Sequence, residues 1–587
     1  MSRLKTSVQS ASVLRRTALL SSIALALSLA GCAGLADAPT TGGTIAAVEG
    51  TASARGPFVA AANPLAADAG MKVLARGGSA VDAAVAVQAV LGLVEPQSSG
   101  LGGGAFLMHY DAATGAVTAY DGRETAPASA GPDLFFEDGK PLPFIEAVLS
   151  GRSTGAPGAV PMLALAQKQH GALDWSTLFD DAERLGRDGF VVSPRLAGMI
   201  ASAAPQAKTR WATAYFTKPD GTRYVAGDVL KNAAYADTVA RIAREGAAGL
   251  QTGPVAEAIV AAVSEGRRPG GLTAADIAGY RPLVREAVCG PYKIYVVCVP
   301  PPPSSGAAVL QLLAMAERTP DIDKGPDSVE AWTAFAQLQR LMYADRDRYF
   351  GDPAFVEAPV AGLLDPAYVA ERAAMAPGLT GAARFGLPRG APAPGADATH
   401  EPAGTSHFVV VDAAGNAVSM TTTVESIFGS GRMAGGFFLN NQLTDFSFSP
   451  RAADGSPAAN AVAAGKRPRS SMSPVLVLDR QGRLVGALGS PGGSSILAYN
   501  AKALIGALAW DLPMQAAFDL PNLVAKGDGF GADTEGFAPT LRAGMAARGI
   551  ELRPNASENS GLHGGLWRNG AWDGAADRRR EGVARTQ

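Results

Sequence analysis

Thr405 follows Gly404 where a breaker-rich stretch, Leu387 to Gly404 (LPRGAPAPGADATHEPAG), runs straight into the apolar segment His407-Phe408-Val409-Val410-Val411. A threonine hydroxyl inside a chain has nothing at hand to remove its proton. At a newly formed N-terminus the same residue carries its own α-amine as base. That amine has an unperturbed pKa of about 7.7–8.0, so it is partly neutral at working pH. A small residue at 404 lets the hydroxyl reach the preceding carbonyl for an N-to-O acyl shift. Gly-Thr-Ser-His alone is uninformative. A mobile linker over 387–404 that feeds directly into a core hairpin is odd for a domain boundary, and makes sense if the chain is cut there.

The elements around Thr405 read as strands. Residues 407–411 form a buried run, Asp412 to Asn416 a turn, and Ala417 to Thr423 a second strand; further strands are expected at 475–478 and 484–488. Upstream, Asn63-Pro64 is a cap-plus-proline helix start, and Ala80 to Leu93 is an almost wholly apolar helix expected to be buried on most faces. A glycine-rich stretch, Ser98 to Gly104, precedes a strand at 105–110. No Lys-Ser/Thr follows those glycines, which argues against a nucleotide cradle. From about 155 to 385 helical patterns alternate with Gly/Pro breaks, and no solenoid or propeller repeat is visible.

Several stretches, each weak alone, occur in one order: Gly77-Gly78-Ser79-Ala80-Val81-Asp82-Ala83-Ala84, Glu95 to Gly104 (EPQSSGLGGG), Asp121-Gly122-Arg123-Glu124-Thr125-Ala126-Pro127, Pro301 to Gly306 (PPPSSG), Thr405-Ser406-His407-Phe408, Asn440 to Phe446 (NNQLTDF), Lys466 to Pro474 (KRPRSSMSP) and Gly489 to Ser494 (GSPGGS). Together they resemble the γ-glutamyltransferase family from about Arg55 to the end. The resemblance implies the four-layer αββα sandwich of N-terminal nucleophile hydrolases. It also implies a precursor that cuts itself between Gly404 and Thr405 into a large subunit, 55–404, and a small one, 405–587, which stay together as a heterodimer. No cofactor is implied.

Carried over residue by residue, the resemblance makes Thr405 the nucleophile and Thr423 the group that orients it. Gly492 and Gly493 supply backbone N–H groups to the developing oxyanion, where a side chain would obstruct the approach. Arg123, Ser470 and Ser471 hold the substrate α-carboxylate, a task suited to the paired donors of a guanidinium. Asp445 and Gln442 take the α-ammonium, so the substrate is a small γ-glutamyl compound. Two departures stand out. Glu425 occupies a position that is usually Asn, and a carboxylate accepts from an ammonium but does not donate as an amide does. The segment between Asp445 and Lys466 is shorter than the lid of lidded members and lacks their covering tyrosine. Hydrolysis is therefore expected to compete strongly with transfer. The rival on the same scaffold is an acylase for glutaryl or cephalosporin-type amides; the rival from another class is a non-catalytic lipoprotein that binds small peptides.

Composition sets the outer limits. Apolar residues make up 47 % and charged residues 18 %, which fits a globular chain; 587 residues exceed one ordinary core. A formal net charge of −2 argues against general affinity for nucleic acid. The one basic cluster, Arg578-Arg579-Arg580, reads as a solvated tail or a local ion-pairing site. Residues 1–32 read as a leader with a basic start and an apolar run, and Leu29-Ala30-Gly31-Cys32 resembles a bacterial lipobox; the alternative is an ordinary signal peptide. Lipidation at Cys32, a tether over 33–54 and a place on the periplasmic side of a bacterial membrane, the outer one favoured, follow from the lipobox. Cys289 and Cys298 bracket a hairpin and allow either a disulfide or two buried thiols. His109, His170, His400 and His563 are scattered without ligand spacing, so no metal site is expected. His407 is expected behind the nucleophile, not acting as a base.

Overall fold

The computed structural model describes residues 56–391, 399, 401, 404–452, 455–555 and 560–586. Cys32, the leader and the tether lie outside the described residues, as do 392–398, 400, 402 and 403 of the linker.

Alternation of apolar residues along β-strands builds two stacked sheets. The first contains seven strands: β1 (Phe58–Ala61), β2 (Gly104–Tyr110), β3 (Val117–Gly122), β4 (Leu283–Glu286), β7 (Thr405–Val411), β8 (Ala417–Thr423) and β13 (Val583–Thr586), in the order β13-β1-β7-β8-β2-β3-β4. The second contains six: β5 (Val288–Tyr292), β6 (Tyr295–Val299), β9 (Val475–Leu478), β10 (Leu484–Gly489), β11 (His563–Arg568) and β12 (Ala571–Ala576), in the order β12-β11-β10-β9-β6-β5. Neighbours in both sheets are antiparallel.

Each strand feeds two cores. Phe58, Ala60, Val409, Val411, Leu476 and Leu478 meet between the sheets. Their neighbours Val59, Ala61, Phe408 and Val410 face outward onto the helices α1 (Pro64–Ala75), α2 (Ala80–Val94) and α3 (Ala159–His170). Val475 and Val477 face the other way, onto α4 (Gly306–Ala316), α5 (Val329–Tyr349) and α6 (Ile496–Leu508). The result is the expected four-layer helix–sheet–sheet–helix sandwich.

The helix starts follow from local chemistry. Asn63 accepts the Leu65 N–H at 2.9 Å ahead of Pro64. Ser79 and Asp82 form a reciprocal capping box at the start of α2. All fifteen α2 residues are buried, which explains their apolar character on every face. The Ser98–Gly104 glycines serve packing: a Cβ on Gly103 would sit 1.9 Å from the Thr423 carbonyl oxygen. Cys289 and Cys298 face each other in the β5–β6 register and are joined as a disulfide. In the C-terminal basic run, Arg578 pairs with Asp519 at 3.0 Å and Arg579 with Asp533 at 2.9 Å and Asp577 at 3.0 Å.

Candidate active site

Register places the two threonines. β7 and β8 pair Thr405 directly with Thr423, eighteen residues apart, and Thr423 in turn with Gly104 of β2. Period-2 alternation puts both hydroxyls on the inter-sheet side. The Thr405 hydroxyl donates to Thr423 Oγ1 at 3.1 Å. Thr423 donates its own proton to the Gly404 carbonyl at 2.7 Å and accepts the Glu425 N–H at 2.8 Å. A hydroxyl has one donor, so these contacts fix the direction of the relay. Thr423 thus polarises the carbonyl just ahead of Thr405. Glycine at 404 is also required by packing: a Cβ there would lie 2.3 Å from the Glu425 carbonyl oxygen and 2.5 Å from the Ser426 carbonyl carbon.

Behind the strand start, Arg580 donates to the Thr405 carbonyl at 2.9 Å. It is buried, so one member of the basic run is part of the support of Thr405; sequence alone carried no signal for this. On the opposite face Ser406 donates to Glu95, which pairs with Arg195 at 3.1 Å. His407 is buried with Nδ1 2.9 Å from Thr421 Oγ1. Burial and the neighbouring His563 hold its pKa well below the ordinary histidine value. It is a neutral strand residue behind Thr405.

The pocket in front of Thr405 is lined by Arg123, Glu401, Thr423, Glu425, Gln442, Asp445, Ser470, Ser471 and Gly493, among others. Nine of the ten residues expected in catalysis or substrate binding converge there; the tenth, Gly492, immediately precedes the lining residue Gly493. Both glycines have positive φ, +135° and +57°, and they lead a short turn into α6. Arg123 is anchored by its own strand end, where Asp121 accepts its N–H at 2.9 Å. Its Nη2 donates to Asp445 at 2.5 Å and to the Arg469 carbonyl at 2.7 Å, and Nε donates to the Pro468 carbonyl at 3.1 Å. Nη1 lies 3.8 Å from Glu124 Oε2. Gln442 donates to the same Asp445 oxygen at 2.7 Å. The Pro301–Gly306 stretch clamps the serines from below: Ser305 N–H bonds to the Ser470 carbonyl at 2.7 Å and Ser304 Oγ to the Met472 carbonyl at 2.7 Å.

Glu425 sits in the left-handed region at φ +84°, an uncommon conformation for a non-glycine residue. Its Oε2 accepts from Asn441 Nδ2 at 2.5 Å and Ser426 Oγ at 2.7 Å. Burial and the adjacent Asp445 push its carboxyl well above the ordinary range. Burial also raises Asp445, but Arg123 opposes that shift. The cation therefore keeps the charge on Asp445 and the proton on Glu425. A carboxyl that holds its proton can donate, as the usual amide would. The short segment after Asp445 folds back, with Phe448 stacked on Phe135 at 4.5 Å and Asn460 bridging the Asp445 carbonyl and the Arg469 N–H.

The four-layer αββα sandwich is the fold of the N-terminal nucleophile hydrolases. A gamma-glutamyltranspeptidase family profile matches residues 66–586. The chain is 35 % identical over 479 residues to a glutathione hydrolase proenzyme of Bacillus subtilis (strain 168), covering 79 % of this chain and 80 % of that one. It is 33 % identical over 476 residues to the acylase ACY 1 proenzyme of Pseudomonas sp. (strain V22), covering 79 % and 82 %. In fold it resembles the crystal structure of a cephalosporin acylase from Bacillus halodurans, with a TM-score of 0.77 at 24 % identity, covering 93 % and 98 %. The chain belongs to the γ-glutamyltranspeptidase family.

Proposed function

We propose that the chain is a self-cleaving γ-glutamyl hydrolase and transferase with Thr405 as nucleophile. The observation that carries this reading is the Thr405–Thr423–Gly404 hydroxyl relay, set at one end of a pocket whose other end pairs Arg123 with Asp445. In the precursor, Thr405 Oγ attacks the Gly404 carbonyl while Thr423 donates to its oxygen. The hydroxyl proton passes to the Thr405 nitrogen as the C–N bond breaks and the ester forms, and water hydrolyses that ester to release the segment ending at Gly404. The new α-amine of Thr405 then takes the hydroxyl proton as Oγ attacks a γ-glutamyl amide. Backbone N–H groups at Gly492 and Gly493 receive the oxyanion. The Thr405 ammonium returns its proton to the leaving amine. Water, or the amine of an amino acid or peptide, resolves the γ-glutamyl ester.

Under this reading residues 55–404 and 405–587 become the two subunits. The leader over 1–32, lipidation at Cys32, the 33–54 tether and a periplasmic address on the outer membrane are part of the same proposal and rest on the sequence pattern. Glutathione is the donor suggested by the glutathione hydrolase relatives. The acylase reading draws on the acylase relatives and on Glu425, which stands where the family usually has Asn. Asp445 favours the glutamyl substrate, since a glutaryl group has no α-ammonium to meet it.

Denaturing electrophoresis with N-terminal sequencing should give a small fragment beginning Thr-Ser-His-Phe. That fragment should be absent from Thr405→Ala, and γ-glutamyl anilide should turn over faster than glutaryl anilide. A single uncut band unchanged by Thr405→Ala would overturn the mechanism. Faster glutaryl turnover would select the acylase.

A further inference from the structure

Cleavage after Gly404 removes part of what holds Thr405. In the uncut chain the residue is fixed by its peptide bond to Gly404, whose carbonyl accepts from Thr423 at 2.7 Å. Arg580 holds its other side, donating to the Thr405 carbonyl at 2.9 Å. Once Gly404 becomes a C-terminus, the first hold ends. The strand ladder, the Thr405–Thr423 hydroxyl contact at 3.1 Å and Arg580 remain. A chain terminus frays unless it is tied down. This one must keep its amine beside its own hydroxyl to act as base.

Arg580 is set by a turn of its own. Its N–H bonds to the Asp577 carbonyl at 3.1 Å, and the Asp577 N–H to the Leu562 carbonyl at 2.8 Å. The Asp577 carboxylate accepts from Ser560 Oγ and from Arg579 Nη1, the latter at 3.0 Å. Burial would raise the pKa of that carboxyl; Arg579 and Lys502 override it and hold it below the ordinary range. The Arg580 side chain then crosses Gly561, where a Cβ would lie 2.4 Å from Arg580 Cδ and 2.9 Å from Pro491 Cγ. The Gly561 N–H bonds to Ser490 Oγ at 3.3 Å. Arg580 therefore runs between the Gly489–Ser494 stretch and the start of β7, beside both the oxyanion glycines and Thr405.

The same contact places a charge near the future amine. A residue's nitrogen lies within about 4 Å of its own carbonyl oxygen, so the guanidinium on that oxygen stands within about 7 Å of the Thr405 nitrogen. A cation so close disfavours an ammonium and favours the neutral amine. The histidines behind Thr405 are uncharged: burial and Arg580 hold His563 down to about 3, and burial and His563 hold His407 well below its ordinary value. On the opposite strand face Glu95 is paired with Arg195, whose N–H is accepted by Glu581. From the pocket side Arg123, Glu401, Glu425 and Asp445 face Thr405. We propose that Arg580 is a positioning residue of the processed enzyme: it ties the new N-terminus down through the Thr405 carbonyl and keeps a positive charge behind the amine. The inference rests on the γ-glutamyl reading for the reaction it serves, not for the placement of the terminus.

Trace acetylation with acetic anhydride, read by mass spectrometry on the small-subunit N-terminus, titrates the Thr405 amine without any substrate. Arg580→Met should move that midpoint up by at least about half a pH unit, since the ammonium loses a repelling neighbour. The acidic limb of kcat/KM for γ-glutamyl anilide should move with it. In that variant kcat should fall at least about tenfold with KM within about twofold of wild type. Chain cleavage should slow less than turnover, because Gly404 still holds Thr405 at that stage. Arg580→Lys keeps a cation and should leave the midpoint near that of wild type. Arg580→Gln keeps a donor without the charge, and takes the place of Arg580→Met if that variant does not fold. An unmoved midpoint in the folded neutral variant would overturn the proposal. So would equal losses of cleavage and turnover that track a loss of thermal stability. If the midpoint moves while the wild-type enzyme leaves γ-glutamyl anilide intact, the positioning role stands and the γ-glutamyl reading falls.

Discussion

At one end of the pocket, Thr405, Thr423 and the Gly404 carbonyl are uncharged groups set by two paired strands. At the other, Arg123, Asp445, Glu425, Glu401, Arg346 and Arg469 are ionisable groups brought in from separate parts of the chain. The neutral end is stiff because each partner is fixed by a strand ladder, and its hydrogen bonds have one possible direction. The charged end is held by mutual compensation, so each member depends on the protonation and presence of the others. The neutral end therefore suits bond-making. The charged end suits recognition.

Substitutions separate the two ends. Thr405→Ala should leave a single chain and lower γ-glutamyl anilide turnover by at least about 10⁴-fold, the scale seen when a nucleophile is removed. Asp445→Ala should cost roughly 3–5 kcal/mol in urea-unfolding stability, because it leaves the buried Arg123 uncompensated; Asp445→Asn should cost less. Thr423→Val keeps the shape of the strand but removes the donor to Gly404, and should slow chain cleavage by about 10²–10³-fold on a gel time course. A matching stability loss in that variant would assign Thr423 to folding instead. A pH-dependent effect should come from Glu124, buried beside Arg123, whose carboxyl burial pushes up to about 8. Its folded pKa exceeds the unfolded one. Its contribution to stability is therefore complete below about pH 4.5 and is lost as pH rises towards 8. Glu124→Gln should flatten the stability–pH curve across that window by about 1 kcal/mol per pH unit, while the pH dependence of a Thr423→Val chain should match wild type.

How much of this was legible depended on range. The Asn63-Pro64 helix start, the buried α2 and the β7–β8 hairpin are local patterns, and each appears where sequence placed it. The lining residues named from family motifs do meet at one pocket. Glu401 went unrecognised because it sits in a breaker-rich stretch that reads as a linker, and its partners Arg346 and Arg469 lie 55 or more positions away. Arg580 was hidden in a run of three arginines whose other two members make ion pairs nearer the surface. Glu425 was noticed as a departure, yet its protonation depends on burial and on Asp445, twenty positions on.

By itself the sequence determined the nucleophile candidate, the strand that starts with it and the family to which the chain belongs. Periodicity, breakers and short ordered motifs are properties of neighbouring residues, and they survive without a fold. Tertiary structure decided which charges share the pocket. Coulomb and desolvation energies depend on distance and burial, and packing two sheets together brings Glu401 onto Arg346 and Glu425 beside Asp445.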